Sequence, residues 1–138
     1  MKVMLDLNVL LDVVQRRDPF YAASAAVLGQ AVEGPTVACL PGHALTTLHY
    51  IVARHAGREQ AGTLVDWALA HLEIVAQDRA QFVRARSLSF DDFEDAALAS
   101  AAEAAGCKLI LTRNVADFGA SPVPAVTPEE FLLAGSQV

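Results

Sequence analysis

Four acidic residues are crowded into the five-residue segment from Asp91 to Asp95, at the start of an alanine-rich run. Neighbouring carboxylates repel one another, so such a segment needs something that stabilises it. The positive end of a helix favours carboxylates in its first turn, and a divalent cation binds oxygen-rich carboxylate clusters. We expect both factors to operate here, with Asp6 and Asp117 converging on Asp95 to hold the metal.

The predicted positions of these three acids bring them to one edge of a parallel sheet. Asp6 follows a short apolar run that predicts a buried strand, where a lone carboxylate is costly without a partner. Asp117 follows the apolar run 108–112 by a short loop, and Asp95 lies in the first turn of the helix leading into that run. Functional groups gather at the carboxyl ends of strands in open parallel sheets. Magnesium suits such a site, because it takes few carboxylates and keeps several waters.

The other acids of the crowded segment also have structural interpretations. Asp91 could be a helix N-cap, with Glu94 as its capping-box partner. Asp92 could compensate the helix dipole. It could also point to the same side of the helix as Asp95, three residues further on. The sequence leaves these alternatives open.

Several polar residues outside this segment have simple interpretations. Asp117 could be only the capping-box partner of Asn114. Asp12 is expected to be a solvated helix residue, four residues before Arg16. The histidines have no spacing typical of metal ligands, so we expect all four to lie at the surface or in helix packing: His43, His49, His55 and His71.

Short strands alternate with helices along the whole chain. The predicted strands cover residues 2–5, 36–40, 73–76, 108–112 and 125–126. The predicted helices cover residues 8–15, 18–33, 43–55, 58–71, 78–87 and 92–105, with a last helix after residue 127. Three N-caps are predicted: Asp18 before Pro19, Asp78, and Thr127 in a capping box with Glu130. The alternation predicts an α/β fold, in which helices cover both faces of a parallel sheet.

The composition limits the class of protein. We expect one domain over residues 1–134 and a frayed tail over residues 135–138. The net charge of −6 argues against a DNA-binding protein that works by charge alone. It does not exclude an enzyme acting on nucleic acid, since a bound metal reverses the local sign. No apolar run is long enough for a membrane span, and the N-terminus lacks a signal-peptide pattern. Cys39 and Cys107 are expected to be buried, reduced thiols in a cytoplasmic protein.

Three segments, in this order and spacing, resemble the PIN domain family: Asp6-Leu7-Asn8-Val9-Leu10-Leu11-Asp12 after the first strand, Phe93-Glu94-Asp95-Ala96 at a helix start, and Thr112-Arg113-Asn114 followed by Asp117-Phe118. The resemblance covers nearly the whole chain and is closest to bacterial proteins of the VapC toxin type. It implies a three-layer α/β/α sandwich around a parallel sheet of four to five strands. It also implies a metal-dependent ribonuclease that uses Mg²⁺ or Mn²⁺ and often forms a homodimer.

The same resemblance implies roles for individual residues. Asp6 and Asp95 are the expected metal-binding acids, and Asp117 completes the catalytic site. Asn8 would orient Asp6, while Thr112 would support the site or a bound water.

Residues beside these acids have expected supporting roles. Asp92, Glu94 and Asn114 would support the site. Arg113 would steady a phosphate of the RNA, although it could also be only a solvated loop cation. Further arginines could extend an RNA track: Arg16, Arg17 and Arg54.

The chain departs from the family pattern at one position. Many members carry a further glutamate on the helix after the second strand, but the matching segment 44–50 contains no acid, and Thr47 is the closest match. A site with one carboxylate fewer binds metal more weakly, unless Asp92 or Glu94 swings in. The departure is compatible with a different metal occupancy, a narrower substrate or a degenerate nuclease.

These residues favour one function over two alternatives. The favoured function is an endoribonuclease that cleaves single-stranded RNA, as the toxin of a toxin–antitoxin pair. Its antitoxin would insert a helix or arm into a groove and obstruct the acidic site. The alternative is a catalytically degenerate PIN-like module that binds RNA or a protein partner. A phosphoacceptor receiver domain is disfavoured, because Leu7 follows Asp6 where a second acid is usual, and no lysine follows Lys108.

Overall fold

The computed structural model describes residues 1–136, which contain one sheet of five parallel strands. The strands are β1 Lys2–Leu5, β2 Val37–Pro41, β3 Glu73–Val75, β4 Leu109–Leu111 and β5 Ala125–Val126. Their order across the sheet is β3-β2-β1-β4-β5, and every neighbouring pair is parallel. The predicted parallel sheet is therefore confirmed, and β1 is its central strand.

Seven α-helices and one 3-10 helix connect the strands within the described residues. They are α1 Leu7–Val14, α2 Tyr21–Glu33, α3 Gly42–Ala56, α4 Arg58–His71, α5 Arg79–Ser87, α6 Phe93–Ala104, the 3-10 helix Val115–Phe118, and α7 Pro128–Ser136. All the predicted helices are present. The last one continues through Gly135 to Ser136, beyond the domain end predicted at residue 134. Residues 137 and 138 of the predicted tail lie outside the described residues.

The predicted N-caps are confirmed at two helices and wrong at a third. The Asp78 side chain accepts the Gln81 N–H of α5 at 3.1 Å. Thr127 and Glu130 exchange side-chain and backbone bonds at 3.1 and 3.3 Å, which completes the predicted capping box. Asp18 does not cap α2, which begins at Tyr21. The reason is a turn before the helix, in which the carbonyl of Arg17 accepts the N–H groups of both Phe20 and Tyr21.

The core lies on both faces of the sheet, as a three-layer sandwich requires. Val3 and Leu5 pack into the cluster beneath α1 to α4, whereas Met4 packs into the cluster on the opposite face, beneath α6. Alternate residues of a strand point to opposite faces, so a strand buried on both faces must be apolar throughout. The three-layer α/β/α arrangement is thus confirmed.

Helix α6 explains much of the alanine richness of the chain. Its residues 96–102 are all buried, because the helix is packed between the sheet and α5. A helix enclosed in this way has no solvated face to carry polar residues. Alanine keeps it close to both neighbours, and the result is a rigid support for the acids at its N-terminus.

Both cysteines are buried free thiols, as predicted. Cys39 donates to Oε2 of Glu73 at 3.1 Å, and the same oxygen lies 3.0 Å from Nζ of Lys2. No helix within residues 1–136 is long and apolar enough to cross a membrane.

The central packing can be tested at Ile110, which has no exposed surface in the middle of β4. We expect Ile110→Ala to lower the free energy of unfolding by about 2–5 kcal/mol, through lost burial and the cavity left behind. Val83→Ala is the matched control, since 58% of this valine on α5 is exposed, and it should change stability by less than about 0.5 kcal/mol. Urea unfolding measures both, and equal effects would contradict this description of the core.

Candidate active site

The candidate site begins where the two central strands of the sheet end. Asp6 follows β1 and Thr112 follows β4, and the N–H of Asp6 donates to the carbonyl of Leu111 at 3.0 Å. The chain leaves β1 towards β2 on one side and leaves β4 towards β5 on the other. This reversal is the switch point at which ligands bind in open parallel sheets.

The carboxylate of Asp6 is held by two side chains. Oγ1 of Thr112 donates to Oδ2 of Asp6 at 2.8 Å, and Nδ2 of Asn8 donates to the same oxygen at 3.2 Å. Thr112 is fully buried, and its Oγ1 also accepts the Asn114 N–H at 3.0 Å. These are the contacts that the predicted supporting roles of Asn8, Thr112 and Asn114 require. The roles themselves stay predictions.

Asp95 is positioned by the first turn of α6. The N-cap of this helix is Asp92, whose Oδ1 accepts the Asp95 N–H at 3.1 Å. The predicted cap at Asp91 is therefore wrong, because the backbone becomes helical only at Phe93 and leaves Asp91 one residue too early. The cap employs Asp92, so the supporting role of this residue is to fix the helix end that carries Asp95.

The electrostatics show that the acids do converge. Burial raises the pKa of Asp95 to about 7, helped by the negative charges of Asp6, Asp92, Asp117 and Glu94. Burial also raises the pKa of Asp6, although the hydrogen bond from Thr112 opposes that rise. The folded chain therefore brings these carboxylates close enough to act on one another; Arg113 lowers the pKa of Asp6, whereas no cation is among the causes that act on Asp95.

Two cavities meet at Asp95. A small one of about 30 Å³ is bordered by Asp6 and Asp95, which is about the volume of one water in the liquid. A larger cleft of about 380 Å³ is bordered by Asp91, Asp92, Asp95 and Asp117. Asp95 thus lies between Asp6 on one side and Asp117 on the other.

The residues present fit a hydrated divalent cation, but not a closed protein cage. Within the described part of the chain, no three acids, histidines or cysteines are close enough to hold a metal together. Asp6, Asp95 and Asp117 therefore do not form a ready three-ligand set. Mg²⁺ commonly needs only one or two carboxylates, since waters and substrate phosphates complete its shell. Mn²⁺ accepts the same oxygen ligands, and a cation here would favour the charged form of Asp95, whose pKa burial and neighbouring carboxylates raise.

Thr47, at the position where related proteins are expected to carry a glutamate, borders the small cavity. Its hydroxyl donates to the carbonyl of His43, in its own helix, at 3.3 Å. It therefore does not substitute for a carboxylate. Glu94 borders the same cavity as Asp6 and Asp95, and its negative charge helps to raise the pKa of Asp95, so a further acid adjoins this space from α6 instead of α3.

Arg113 is engaged with α1. Its Nη2 lies 3.4 Å from Oδ1 of Asp12, and its Cζ lies 4.5 Å from the centre of the Phe20 ring. The expectation that Asp12 is solvated is wrong: only 1% of its side chain is exposed, and it pairs with Arg113 and, at 4.0 Å, with Arg17. The reason is tertiary, because the loop after β4 brings Arg113 over α1. A phosphate contact by Arg113 stays a prediction.

His43 lies at the candidate site, although its spacing from the other histidines is not typical of metal ligands. This residue borders the small cavity in the first turn of α3. Oε1 of Gln77 accepts its backbone N–H at 3.0 Å and lies 3.0 Å from ring Nδ1. An oxygen that already accepts an N–H faces a protonated ring nitrogen, so Nδ1 is the donor. The signal available in the sequence was its place after β2, at the edge of the sheet where Asp6 lies.

Comparisons with known proteins agree with this geometry. A family model described as PIN domain matches residues 2–116. A VapBC2 structure from Rickettsia felis, bound to a promoter DNA fragment, has a chain with 20% identity and a TM-score of 0.70, over 92% of this chain and 98% of that one. A DNA-bound VapBC from Salmonella typhimurium gives 16% identity and 0.70, over 93% and 98%.

A third similar structure is that of a toxin for which the cleaved molecule is known. VapC20 of Mycobacterium tuberculosis, a sarcin-ricin loop cleaving toxin, has 13% identity and a TM-score of 0.65, over 78% of this chain and 86% of that one. No curated protein is similar enough in sequence to count as a relative. At these identities the structural likeness supports the fold.

We expect Asp95→Asn to stabilise the metal-free protein near neutral pH, because it removes a carboxylate that its surroundings oppose. The pKa of Asp95 rises from 3.8 to about 7 on folding. Between these values the folded chain binds more protons than the unfolded chain, so wild-type stability falls as the pH rises. The variant should exceed wild type by about 1 kcal/mol or more at pH 8. Urea unfolding in EDTA, from pH 4 to pH 8, measures the difference.

The control for this experiment is Asp66→Asn, at an exposed position on α4. It should show no comparable dependence on pH. The advantage of Asp95→Asn should disappear near pH 4, where wild-type Asp95 is protonated on folding. A stability difference that is constant across the whole range would show that the Asp95 charge is not the cause.

The ion pair between Asp12 on α1 and Arg113 in the loop after β4 gives a separate prediction. Asp12→Ala should destabilise the protein by about 3 kcal/mol, because it leaves the half-buried Arg113 unpaired. Arg113→Ala and the double variant complete a mutant cycle, and the two losses should be strongly non-additive. Thermal unfolding measures all three proteins. Additive losses would mean that Asp12 and Arg113 do not depend on each other.

Proposed function

The chain belongs to the PIN domain family, and from this premise we propose that it is a divalent-metal-dependent endoribonuclease that cleaves single-stranded RNA. One observation carries the proposal: Asp95 is partly buried among further carboxylates, including Asp6 and Asp117, and this burial together with their negative charges raises its pKa to about 7. Maintaining such repulsion in a folded protein is costly, and a cation at the site would relieve it. The proposed cofactor is Mg²⁺ or Mn²⁺.

Some residues of the site would hold a cation, and others would orient the residues that hold it. Asp6 and Asp95, which both border the small cavity, would hold the cation, and Asp117, which borders the larger cleft with Asp95, would complete the site. When bound, such a cation activates a water, binds the scissile phosphate and stabilises the leaving oxygen. Thr112 and Asn8 fix the Asp6 carboxylate beforehand, so little reorganisation is needed when substrate arrives.

The larger cleft is the proposed entry for the phosphate backbone. Its acidic lining repels RNA unless a cation is present, which makes substrate binding depend on metal. Single-stranded loops and ends present bases that can be splayed out, and these fit a cleft of about 380 Å³ better than a duplex does. The similar VapC20 is described as cleaving an RNA loop, which supports RNA as the substrate.

We further propose that the chain is the toxin of a toxin–antitoxin pair. The similar chains from Rickettsia felis and Salmonella typhimurium belong to VapBC complexes, which supports a cognate antitoxin as partner. The antitoxin would insert a helix or arm into a groove and obstruct the acidic site. A homodimer and a cytoplasmic location stay predictions.

The second candidate is a degenerate module that binds RNA or a protein without cleaving it. It is favoured by Thr47, whose hydroxyl serves its own helix and supplies no carboxylate. Against it stands Glu94, a further acid that borders the same cavity from α6. The receiver-domain alternative is excluded, because the family match assigns the chain elsewhere.

Cleavage of labelled single-stranded RNA tests the proposal. Wild type should cleave with Mg²⁺ or Mn²⁺ and not with EDTA. Asp95→Asn should lose at least roughly 100-fold in rate, since even groups that only orient metal ligands cost 10–100-fold when removed. Asp66→Asn should retain activity. A folded wild type that neither cleaves RNA nor binds metal by calorimetry would leave the binding module as the better explanation.

A further inference from the structure

One face of α3 runs from the candidate site to the open surface. His43, Thr47, Tyr50 and Arg54 are spaced four, three and four residues apart, which places them on one side of a helix. We name this set the α3 stripe. Its first two residues border the small cavity together with Asp6. The stripe is therefore continuous with the site at one end.

The outer half of the stripe is an ordered aromatic–cation pair. Tyr50 is 59% exposed. Nη1 of Arg54 donates to the Tyr50 hydroxyl at 2.8 Å, and Cζ of Arg54 lies 5.6 Å from the ring centre. Each side chain restricts the other, so both lose less entropy when a ligand binds. A guanidinium has five N–H donors, so Arg54 keeps donors for a second partner.

The dimensions of the helix connect this pair to the site. At 1.5 Å per residue, Tyr50 lies about 10 Å and Arg54 about 16 Å beyond His43 along the helix axis. Nucleotides that adjoin a phosphate held at Asp6 and Asp95 lie at such distances. The pair is thus outside the site but within reach of the same strand.

The surroundings of Tyr50 favour a nucleobase over a protein partner. Among the described residues of α3, Tyr50 is the one large hydrophobic side chain that is exposed, and the exposed positions nearby include Thr46 and His55. The buried centre of a protein interface is apolar, whereas an isolated ring beside an arginine suits a base and its phosphate. The chain has a net charge of −6, so a guanidinium held in place beside an exposed ring favours an anionic ligand such as a phosphate.

We propose that single-stranded RNA next to the scissile phosphate follows the α3 stripe, with one base stacked on Tyr50 and one phosphate bound by Arg54. This inference rests on the proposed RNA-cleaving function and assigns a binding subsite to it. The subsite supplies the affinity that an acidic cleft lacks. The stripe tolerates different bases, because every base presents a π-face to the ring.

Fluorescence anisotropy with a labelled single-stranded RNA of mixed sequence tests the subsite. The Asp95→Asn chain serves as the parent, so that RNA is not consumed, and Mg²⁺ is present throughout. Adding Tyr50→Leu should weaken binding about tenfold, whereas Tyr50→Phe keeps the ring, loses only the hydroxyl to which Arg54 donates, and should weaken binding clearly less than Tyr50→Leu does. Adding Arg54→Gln should reduce the slope of log affinity against log salt by about 0.7, the value for one phosphate contact with a single strand.

Arg86→Gln is the matched control for charge, because Arg86 is exposed on α5 and away from the stripe. It should leave the salt slope unchanged. Thermal melts of every variant distinguish loss of folding from loss of binding. If Tyr50→Leu lowers only the melting temperature, the pair merely stabilises α3, and the proposal is overturned.

The remaining outcomes separate the subsite from the function. If wild type cleaves RNA and the parent binds it, but Tyr50→Leu and Arg54→Gln bind equally well, the subsite is wrong and the nuclease stands. If Tyr50→Leu instead changes the mass in solution and not RNA binding, the stripe is a protein interface. If wild type neither binds nor cleaves RNA, the proposed function fails, and the subsite fails with it.

Discussion

The repulsion between carboxylates at the ends of β1 and α6 is the constraint on which this structure depends. Asp95 lies where burial and its acidic neighbours raise its pKa to about 7, and nothing in a stable fold requires that arrangement. The chain sustains it with rigid supports. Helix α6 is enclosed by the sheet and α5 over residues 96–102, so it cannot tilt to move Asp95 away from Asp6.

The carboxylate of Asp6 is also held in place by its surroundings. One buried hydroxyl, that of Thr112, joins the end of β4 to the carboxylate of Asp6 and also accepts an N–H from the following loop. The ends of two central strands, the loop after β4 and the carboxylate of Asp6 are thereby joined by one side chain. Strain or repulsion stored at a functional site commonly depends on such over-determined surroundings.

The position of Thr47 shows why a missing residue need not mean a missing group. The Thr47 hydroxyl donates to a carbonyl of its own helix, but Glu94, a further acid, borders the same cavity from α6. Position along the chain and position in space are separate properties. The α3 stripe illustrates the same point. His43 and Tyr50 belong to no motif in the sequence, but α3 places His43 beside Asp6 and Tyr50 further out on the same face.

Periodicity, caps and strand ends are local signals. The sequence alone therefore predicts the succession of strands and helices along the chain, the parallel sheet and the convergence of Asp6 and Asp95. It did not determine contacts across the fold. Asp12 looked solvated, and only the tertiary structure buried it beside Arg113. The N-cap at Asp92 and the late start of α2 were likewise decided by the folded chain, since several nearby residues could accept the same N–H groups and packing selects among them.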